Sequence, residues 1–560
     1  MGDLPVKGHD KLRPGAQVVD HGHRYTPRLT FYSYASGELE AGAYVTGFDV
    51  STDLSNPEGQ WSATLKRRIF PLGDSDAQPD VDRDWGALLS PGDWCLITVH
   101  DGHHGWPLRL GRIDDIHRSR EAGQGGVTRY TYSVSGSNAG SCLTKHEVVV
   151  LPQFKGATAA DLLRDLGPFH RSLGRVLFRF GKDGVAPHEL VPSLLYFFLG
   201  RYTGETYGRS AAPVFTLPPT MPVKPIGRPE DVFGRLGDGW PLGDLLRFET
   251  ERLDGRVVIR ELMAGLPDGQ RLWDYLGSFS DPDVNEFFVD FLPNSWEVGK
   301  SMSVEDFTHD GGDIDFSPRA VLRRRPFPSE AYMTARAIGF GVEPIGPTGV
   351  ERWQRLPWTM IDERQLQSDE TGRSDRERFN FYLSLPHSSF GGHPYSLALG
   401  SGSRGELPIT AGTRNAVGEG TDLDRAERHG WRRREIRSPY LPTDPRAHTA
   451  QYYVWSRLLA DWNQGNAERW SGTLTTGRML PGVRVGERLH VFRDGRSRVE
   501  GYYIERVSHS WRRAGTGERT STTMSVTRGS EDPLGGYSPK GWGADTDGAD
   551  LRRILIGDTA

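Results

Sequence analysis

Apolar and polar residues alternate in two distant stretches of the chain, residues 92–136 and residues 485–529. In each stretch a Gly-acid pair opens an apolar segment, an Asp-Gly pair follows, and a longer segment carries an isoleucine with an apolar partner three positions on. A period of two is typical of half-buried antiparallel strands, so the shared plan indicates two related β units. The matching residues are Gly92-Asp93 and Gly486-Glu487, Asp101-Gly102 and Asp494-Gly495, Ile113 and Ile504, Ile116 and Val507, His117 and His509, and the closing Ser133–Gly136 and Ser525–Gly529.

Six alternating segments make up the first unit, and six strands are enough to close a small barrel or sandwich. The second unit is predicted to be split, with Phe379–Leu385 as its first strand and the remainder after Gly472, beyond an inserted loop and helix. The segments of the first unit are Leu29–Tyr32, Tyr44–Val50, Gln60–Leu65, Trp94–Val99, Leu108–Ile116 and Arg129–Val134.

Between the two units the spacing of apolar residues changes repeatedly to that of helices, which indicates mixed α/β insertions. Six prolines within residues 203–230 indicate an extended connection. The predicted helices cover residues 158–166, Leu190–Leu199, Leu272–Phe279 and Thr449–Trp462, and the predicted strands are Val257–Ile259, Asn285–Phe291 and Ala320–Arg323.

The predicted fold is mainly β with α/β insertions, and at 560 residues it is too long for one core. The predicted organisation is an N-terminal arm at 1–27, a first β-barrel domain at 28–155, a helical segment and Pro-rich connection at 156–240, a mixed α/β domain at 241–330, the first part of a second β-barrel domain at 331–400, a loop and helix insertion at 401–470, the second part of that domain at 471–531, and a Gly-rich tail at 532–560.

The composition of the chain argues against several classes of function. The net charge of −5 argues against a dedicated nucleic-acid binder. The sequence contains no run of eighteen apolar residues, so no membrane span is predicted. The N-terminus lacks the apolar core of a signal peptide, so we expect no Sec export. Cys95 and Cys142 lie in or beside a predicted strand, which favours buried thiols over a disulfide.

Several groups of residues are candidates for chemistry, and a structural interpretation is favoured for each. His100, His103 and His104 lie on a predicted turn without a second set of ligands, so a solvated turn is favoured over a metal site; the same holds for His21 and His23.

The segment Gly400–Gly405 matches GxGxxG, but no helix pattern follows it to bind phosphate. The basic runs Arg323–Arg325 and Arg432–Arg434 are interpreted as solvated faces or as contacts with an acidic neighbouring subunit. Two interpretations are possible for the acids Asp281, Asp283, Glu286 and Asp290. Two of them could form a carboxylate pair for sugar hydrolysis, or all four could lie at a helix end and on an exposed strand face, which is the favoured interpretation.

Several phrases resemble the baseplate hub proteins of contractile-tailed phages, which are akin to the N-terminal part of type VI secretion spike proteins. The resemblance covers roughly residues 28–530, and its C-terminal phrases are the most specific. The phrases are Val485–Leu489, Tyr502–Trp511, Thr522–Gly529, Asn285–Asp290, Arg323–Phe327 and Arg373–Asp375.

The resemblance implies two tail-tube-like barrels per chain and a homotrimeric, pseudo-sixfold ring that joins a sixfold tail tube to a threefold central spike and encloses a channel for DNA. The implied partners are further copies of the chain, a tail tube or tube-initiator protein, the spike protein and baseplate wedge proteins, with DNA only in passage. No catalytic residue, cofactor, metal or membrane anchor is implied. The implied location is the virion tail baseplate, assembled from protein made in the bacterial cytoplasm, and His509 and Arg528 are predicted strand-end positions that serve assembly.

Two alternatives remain open. One is a tail-associated cell-wall hydrolase that uses Asp283 or Glu286. The other is a carbohydrate- or receptor-binding tail protein, suggested by the 15 tryptophans and the β-rich plan.

Overall fold

Most of the described chain forms antiparallel β structure, which confirms the predicted fold class. The structure, a computed structural model, describes residues 16–18, 24–68, 84–101, 104–122, 128–148, 185–199, 246–253, 270–291, 302–303, 318–329, 331–332, 352–353, 356–386, 429–430, 432–438, 440, 449–463, 465–494, 498–514 and 517–531.

The strands, in chain order, are β1 (Ala16–Val18), β2 (Thr26–Ser33), β3 (Gly37–Glu40), β4 (Val45–Asp53), β5 (Gln60–Lys66), β6 (Trp94–His100), β7 (His104–Ala122), β8 (Thr128–Asn138), β9 (Glu147–Val148), β10 (Arg247–Thr250), β11 (Gln270–Arg271), β12 (Asn285–Phe291), β13 (Met302–Ser303), β14 (Pro318–Arg324), β15 (Trp358–Asp362), β16 (Leu366–Gly372), β17 (Phe381–Pro386), β18 (Arg433–Ser438), β19 (Trp470–Thr476), β20 (Arg488–Arg493), β21 (Arg498–Ala514) and β22 (Gly517–Glu531). The α-helices are α1 (Trp85–Leu88), α2 (Ser141–Lys145), α3 (Pro187–Phe198), α4 (Leu272–Ser280) and α5 (Thr449–Asn463).

Three predicted helices are confirmed as α3, α4 and α5. The sequence of α3 is apolar nearly all round, and the helix is correspondingly buried, with Leu190, Val191, Leu194 and Leu195 inside the core. The predicted strands β12 and β14 pair with each other in a small three-stranded sheet. The predicted helix at 158–166, the strand Val257–Ile259 and the Pro-rich connection lie outside the described residues.

Two units with the same strand order lie side by side in one fifteen-stranded sheet. In the first unit the neighbours run β6-β7-β8-β5-β4, and in the second they run β20-β21-β22-β19-β16. A 3-10 turn precedes β4 and another precedes β16, and both strands carry a bulge directly after their first residue pair. The repeat read from sequence is therefore present in the pairing of the strands.

The Gly-acid pair performs the same task in both units. The amide of Gly92 donates to the carbonyl of Ile113 at 2.8 Å, and the amide of Ile113 donates to the carbonyl of Asp93 at 2.7 Å. Gly486, Ile504 and Glu487 make the same two bonds at 2.8 and 3.0 Å. Both glycines have positive φ, +100° and +76°, a conformation that costs little only without a Cβ.

Two sequence expectations are corrected. The Ser-Val phrases are shifted by two residues, because Ile504 pairs with Val526 whereas Ile113 pairs with Gly136, and Val134 lies opposite Ile116 instead. Phe379–Leu385 is not the first strand of the second unit. Its strand, β17, pairs in parallel with β18 in a separate sheet, and β15 and β16 open the unit.

Barrel closure is also not observed: among the described strands, no hydrogen-bonded ladder joins the two ends of either unit. Each unit nevertheless encloses a core of its own. Strands β2 and β4 to β8 form one apolar cluster in the first unit, which Trp511 of the second unit also joins, and the second unit builds its own cluster around Leu489, Ile504 and Val526. A third cluster packs α3, α4 and α5 against β12 and β14.

Candidate assembly surface

Strands β4 and β21 pair across the two units and make their sheets continuous. Directly opposed residues of antiparallel strands point to the same face of a sheet. The pairs Arg506–Asp53, Ser508–Ser51 and Ser510–Asp49 therefore share one face, and Trp511 and Phe48 lie on the other, in the core. We call this pairing the internal joint.

From the internal joint, one polar face extends over eight strands, from β16 in the second unit to β7 in the first; we call it the shared polar face. Its residues are mostly half-buried serines and threonines. One row of opposed residues crosses seven strands as Ser368, Thr475, Thr523, Ser508, Ser51, Gln60 and Ser137. A second row crosses six strands as Ser521, Ser510, Asp49, Ser62, Ser135 and Asp115.

The shared polar face is concave over the internal joint, where it forms a groove of about 670 Å³. Four acidic residues and one basic residue, Arg506, line this groove, and Arg512 forms an ion pair with Asp49 across the joint. Thr475 and Thr523 are linked through their hydroxyls at 3.2 Å. Such a surface offers hydroxyls and an excess of acidic groups rather than a cationic track, so it is suited to a hydrated wall.

Behind the shared polar face lies a buried charged cluster of Arg109, Asp290, Arg484 and Glu487. Arg109 donates to the carbonyl of Ser51 at 2.6 Å, and Arg484 donates to the carbonyl of Pro107 at 2.9 Å. The first bond connects β7 to β4 within the first unit. The second connects the loop before β20, in the second unit, to β7 in the first, so the cluster holds both units together.

Burial dominates the ionisation of this cluster. It lowers the pKa of Arg109 to about 10, and it raises the pKa of Glu487 to about 8 against the opposing attraction of Arg484. It also lowers the pKa of His509, and nearby Arg484 and Arg109 lower that pKa further.

A second buried network surrounds Glu286, one of the candidate acids. Arg323 lies 3.0 Å from Glu286 and donates to the carbonyl of Gly486 at 2.7 Å. The hydroxyl of Tyr503 donates to the other oxygen of Glu286 at 2.6 Å. Burial opposes ionisation of Arg323, but Tyr503 and Glu286 outweigh it and raise its pKa. The carboxylate thus docks β12 and β14 onto the second unit.

The other candidate acids also make contacts within the chain. Asp281 follows α4 with φ +62° and accepts a hydrogen bond from the Ser438 hydroxyl at 2.6 Å. Asp290 is buried beside Arg109 and Arg484.

Among the described residues, no group of three or more His, Cys, Asp and Glu side chains is arranged to hold a metal. His100 ends β6 and is half-buried, whereas His103, the two arm histidines and Gly400–Gly405 lie outside the described residues. Both cysteines are buried thiols. In the part of the chain that is described, no helix has the length and apolar character of a membrane span.

The two residues predicted to serve assembly are instead packed inside the chain. The ring of His509 lies 2.9 Å from the Thr522 hydroxyl, and Arg528 donates to the carbonyl of Trp462 at 2.5 Å. The basic run Arg323–Arg325 is largely buried rather than solvated.

Sequence reasoning missed β16, the outermost strand of the shared polar face in the second unit. This strand reads Leu-Gln-Ser-Asp-Glu-Thr-Gly and is solvated on much of both faces, so it lacks the apolar alternation by which strands are recognised. The one available signal is the place of β16 after a 3-10 turn, which repeats the place of β4.

No protein-family model and no curated protein matches the chain. In structure the chain is similar to a tail protein from Neisseria meningitidis (10% identity, 90% of this chain and 96% of that chain covered, TM-score 0.38). It is also similar to the 43 kDa tail protein of prophage MuSo2 from Shewanella oneidensis (11% identity, 90% of this chain and 97% of that chain covered, TM-score 0.39). A third similar structure is a component of the type VI secretion system of Escherichia coli (9% identity, 89% of this chain and 76% of that chain covered, TM-score 0.34).

These are the classes of protein that the sequence phrases indicated, tail proteins and type VI secretion components.

Proposed function

We propose that the chain is the structural hub of a contractile tail. Three copies form a ring of six β units that joins the sixfold tail tube to the threefold central spike and surrounds the channel for DNA. The observation that carries the proposal is the shared polar face, which passes through the internal joint without interruption.

Two like units in one chain explain the symmetry of such a ring. Three chains offer six similar surfaces to a sixfold partner, while the unlike α/β insertions keep the true symmetry at three. The insertions differ in kind from the units because they are built on helices and small sheets.

The shared polar face is suited to the inner wall of the ring. DNA is bound mainly through its phosphates by clusters of lysine and arginine, and this binding is strong and salt-dependent. The rows of serine and threonine with interspersed Asp49, Asp115 and Arg506 offer no such cluster. A wall of this kind lets DNA pass without holding it.

The test is an electron cryo-microscopy map of the intact particle. We expect three copies of the chain on the tail axis, with Ser51, Ser62 and Ser510 facing the channel. One copy or six copies on the axis would contradict the proposal. So would a ring of three whose shared polar face points outward.

A further inference from the structure

Each β unit has two edges suited to pairing, and the internal joint uses only one edge from each. In the internal joint the edge of β4 pairs with Arg506–Arg512 of β21. The counterpart of β4 in the second unit is β16, and the counterpart of that part of β21 in the first unit is Asp115–Glu121 of β7. Within the described residues, neither counterpart has a strand on its outer edge.

We propose that the outer edge of β16 pairs with residues Asp115–Glu121 of β7 in a second copy of this chain, repeating the internal joint between molecules. The inference rests on the proposed ring and specifies its contact. It commits to a second copy because the chain already contains the same joint, built from the same two elements.

The register of the proposed joint follows from the internal one. Ile113 corresponds to Ile504 and Val45 to Leu366, since both members of each pair occupy the same place beside the same bulge. Counting along the strands, the opposed pair Ser510–Asp49 becomes Ser119–Glu370. The opposed pair Trp511–Phe48 becomes Arg120–Asp369.

The charges of the two edges are complementary in this register. Arg120 lies directly opposite Asp369, and Arg118 lies diagonally from it, within reach of a long side chain. Asp369 is also held by Arg493 at 2.6 Å, which orients its carboxylate at the edge. The aromatic pair of the internal joint is thus replaced by an opposite-charge pair, which suits a contact that is exposed to water before assembly.

One pair opposes the joint. Glu121 and Glu370 take the places of Arg512 and Asp49, the ion pair of the internal joint. Both glutamates are exposed on the polar face, where water and salt screen their repulsion. Charged side chains also protect edge strands from unwanted pairing. The test must therefore distinguish charges that keep the edges apart from charges that bind the edge of a second copy.

A charge swap separates these two roles. Arg120→Asp and Asp369→Arg should each raise the protein concentration required for trimer formation about tenfold or more, because each places like charges opposite each other. The double variant Arg120→Asp/Asp369→Arg should restore trimer formation. Sedimentation analysis gives the assembly state, and thermal unfolding checks that each single variant is folded. Lys66→Glu, an exposed reversal on β5 away from both edges, is the matched control and should assemble normally.

Disulfide trapping tests the register directly. The variant Ser119→Cys/Glu370→Cys should form a closed covalent trimer under oxidation, in solution or in assembled particles, because each copy supplies one cysteine to each neighbour. Ser119→Cys alone should not, and the native Cys95 and Cys142 are buried.

The outcomes are distinguishable. If the trimer forms equally well in the charge-reversal variants and the cysteine variant gives no covalent trimer, this contact is overturned but the proposed ring remains intact. Absence of a trimer both in solution and in particles overturns the ring and this contact together. Weakening by both single reversals without restoration in the double variant also overturns the contact, because it indicates charge effects without pairing.

Discussion

The two β units share a strand order and a Gly-acid opening but differ in how the acidic side chain is accommodated. In the first unit, Asp93 accepts hydrogen bonds from the amides of Ser90 and Tyr34 at 2.8 and 3.1 Å. In the second, Glu487 is buried in the cluster with Arg484, and burial raises its pKa to about 8. The backbone plan of a repeat can therefore persist while the side chain at the same position changes from an acceptor of backbone hydrogen bonds to a member of a buried charged cluster.

The units also differ at the joint. Trp511 of the second unit is fully buried, stacks on Phe48 of the first with centroids 6.2 Å apart, and donates from its indole to the carbonyl of Tyr25 at 3.0 Å. Its counterpart in the first unit is Arg120, which is exposed. A hydrophobic pair is suited to a permanent joint, whereas charged edges are suited to a chain that must stay soluble until it assembles.

The largest expected effect tests what the units have in common. Ile504→Asp and Ile113→Asp each place an unpaired charge in the centre of a unit, which costs several kcal/mol. We expect Ile504→Asp to give insoluble or unfolded protein, and likewise Val526→Asp, which changes the residue opposite it. Expression and circular dichroism measure this, with Ser508→Asp on the polar face as the control. Soluble, cooperatively folded Ile504→Asp protein would contradict the core described above.

The next effect concerns the difference at the joint. Trp511→Ala should lower the free energy of unfolding by about 3–5 kcal/mol because it removes a buried indole together with its hydrogen bond to the carbonyl of Tyr25. Arg120→Ala, at the corresponding place in the first unit, should change it by less than about 0.5 kcal/mol. Urea unfolding of both variants compares the two positions, and equal losses would show that the correspondence is misassigned.

A smaller effect concerns the acidic residues after the paired glycines. The pKa of Glu487 is about 8 in the folded chain against an ordinary 4.5, so between these values the folded state keeps a proton that the unfolded state releases. Stability should therefore fall as pH rises from about 4.5 to about 8 and then level off. Glu487→Gln should remove this slope and stabilise the protein at pH 8 by about 1–3 kcal/mol.

The matched change in the first unit should have the opposite sign. Asp93→Asn replaces one amide-accepting oxygen with a donor group, so it should destabilise the protein at pH 8 by about 1 kcal/mol. Thermal unfolding across the pH range measures both variants. A slope that persists unchanged in Glu487→Gln would assign it to another group.

The smallest effect concerns the exposed charges at the joint. Arg512 and Asp49 are each nearly half exposed, and exposed ion pairs contribute about 0–1 kcal/mol. Arg512→Ala should therefore reduce the free energy of unfolding by at most that amount, and less at high salt. Urea titrations at two salt concentrations measure this, with Glu121→Ala as the control. A loss above about 2 kcal/mol would mean that the guanidinium does more than form this pair.

The local pattern of apolar and polar residues was sufficient to predict many of the strands and helices. The strands β5, β6, β12 and β14 and the helices α3 to α5 follow the apolar period of their sequences, because each buries one face or is buried all round. The strand β16 was missed because a solvated edge leaves no such period. Phe379–Leu385 was placed in the wrong sheet because apolar alternation predicts a strand but not its partner.

The sequence by itself determined that two related β units exist, because the Gly-acid pair and the isoleucine that it contacts recur with their spacing. Only the tertiary structure decided that the units share one sheet, that Glu286 and Asp290 are held in buried charged networks, and that none of the described strands covers the outer edges of β16 and of residues Asp115–Glu121 of β7. The physical reason is that alternation records which face of a strand is buried. The neighbour of a strand edge is chosen by backbone hydrogen bonds, which every residue type except proline provides equally.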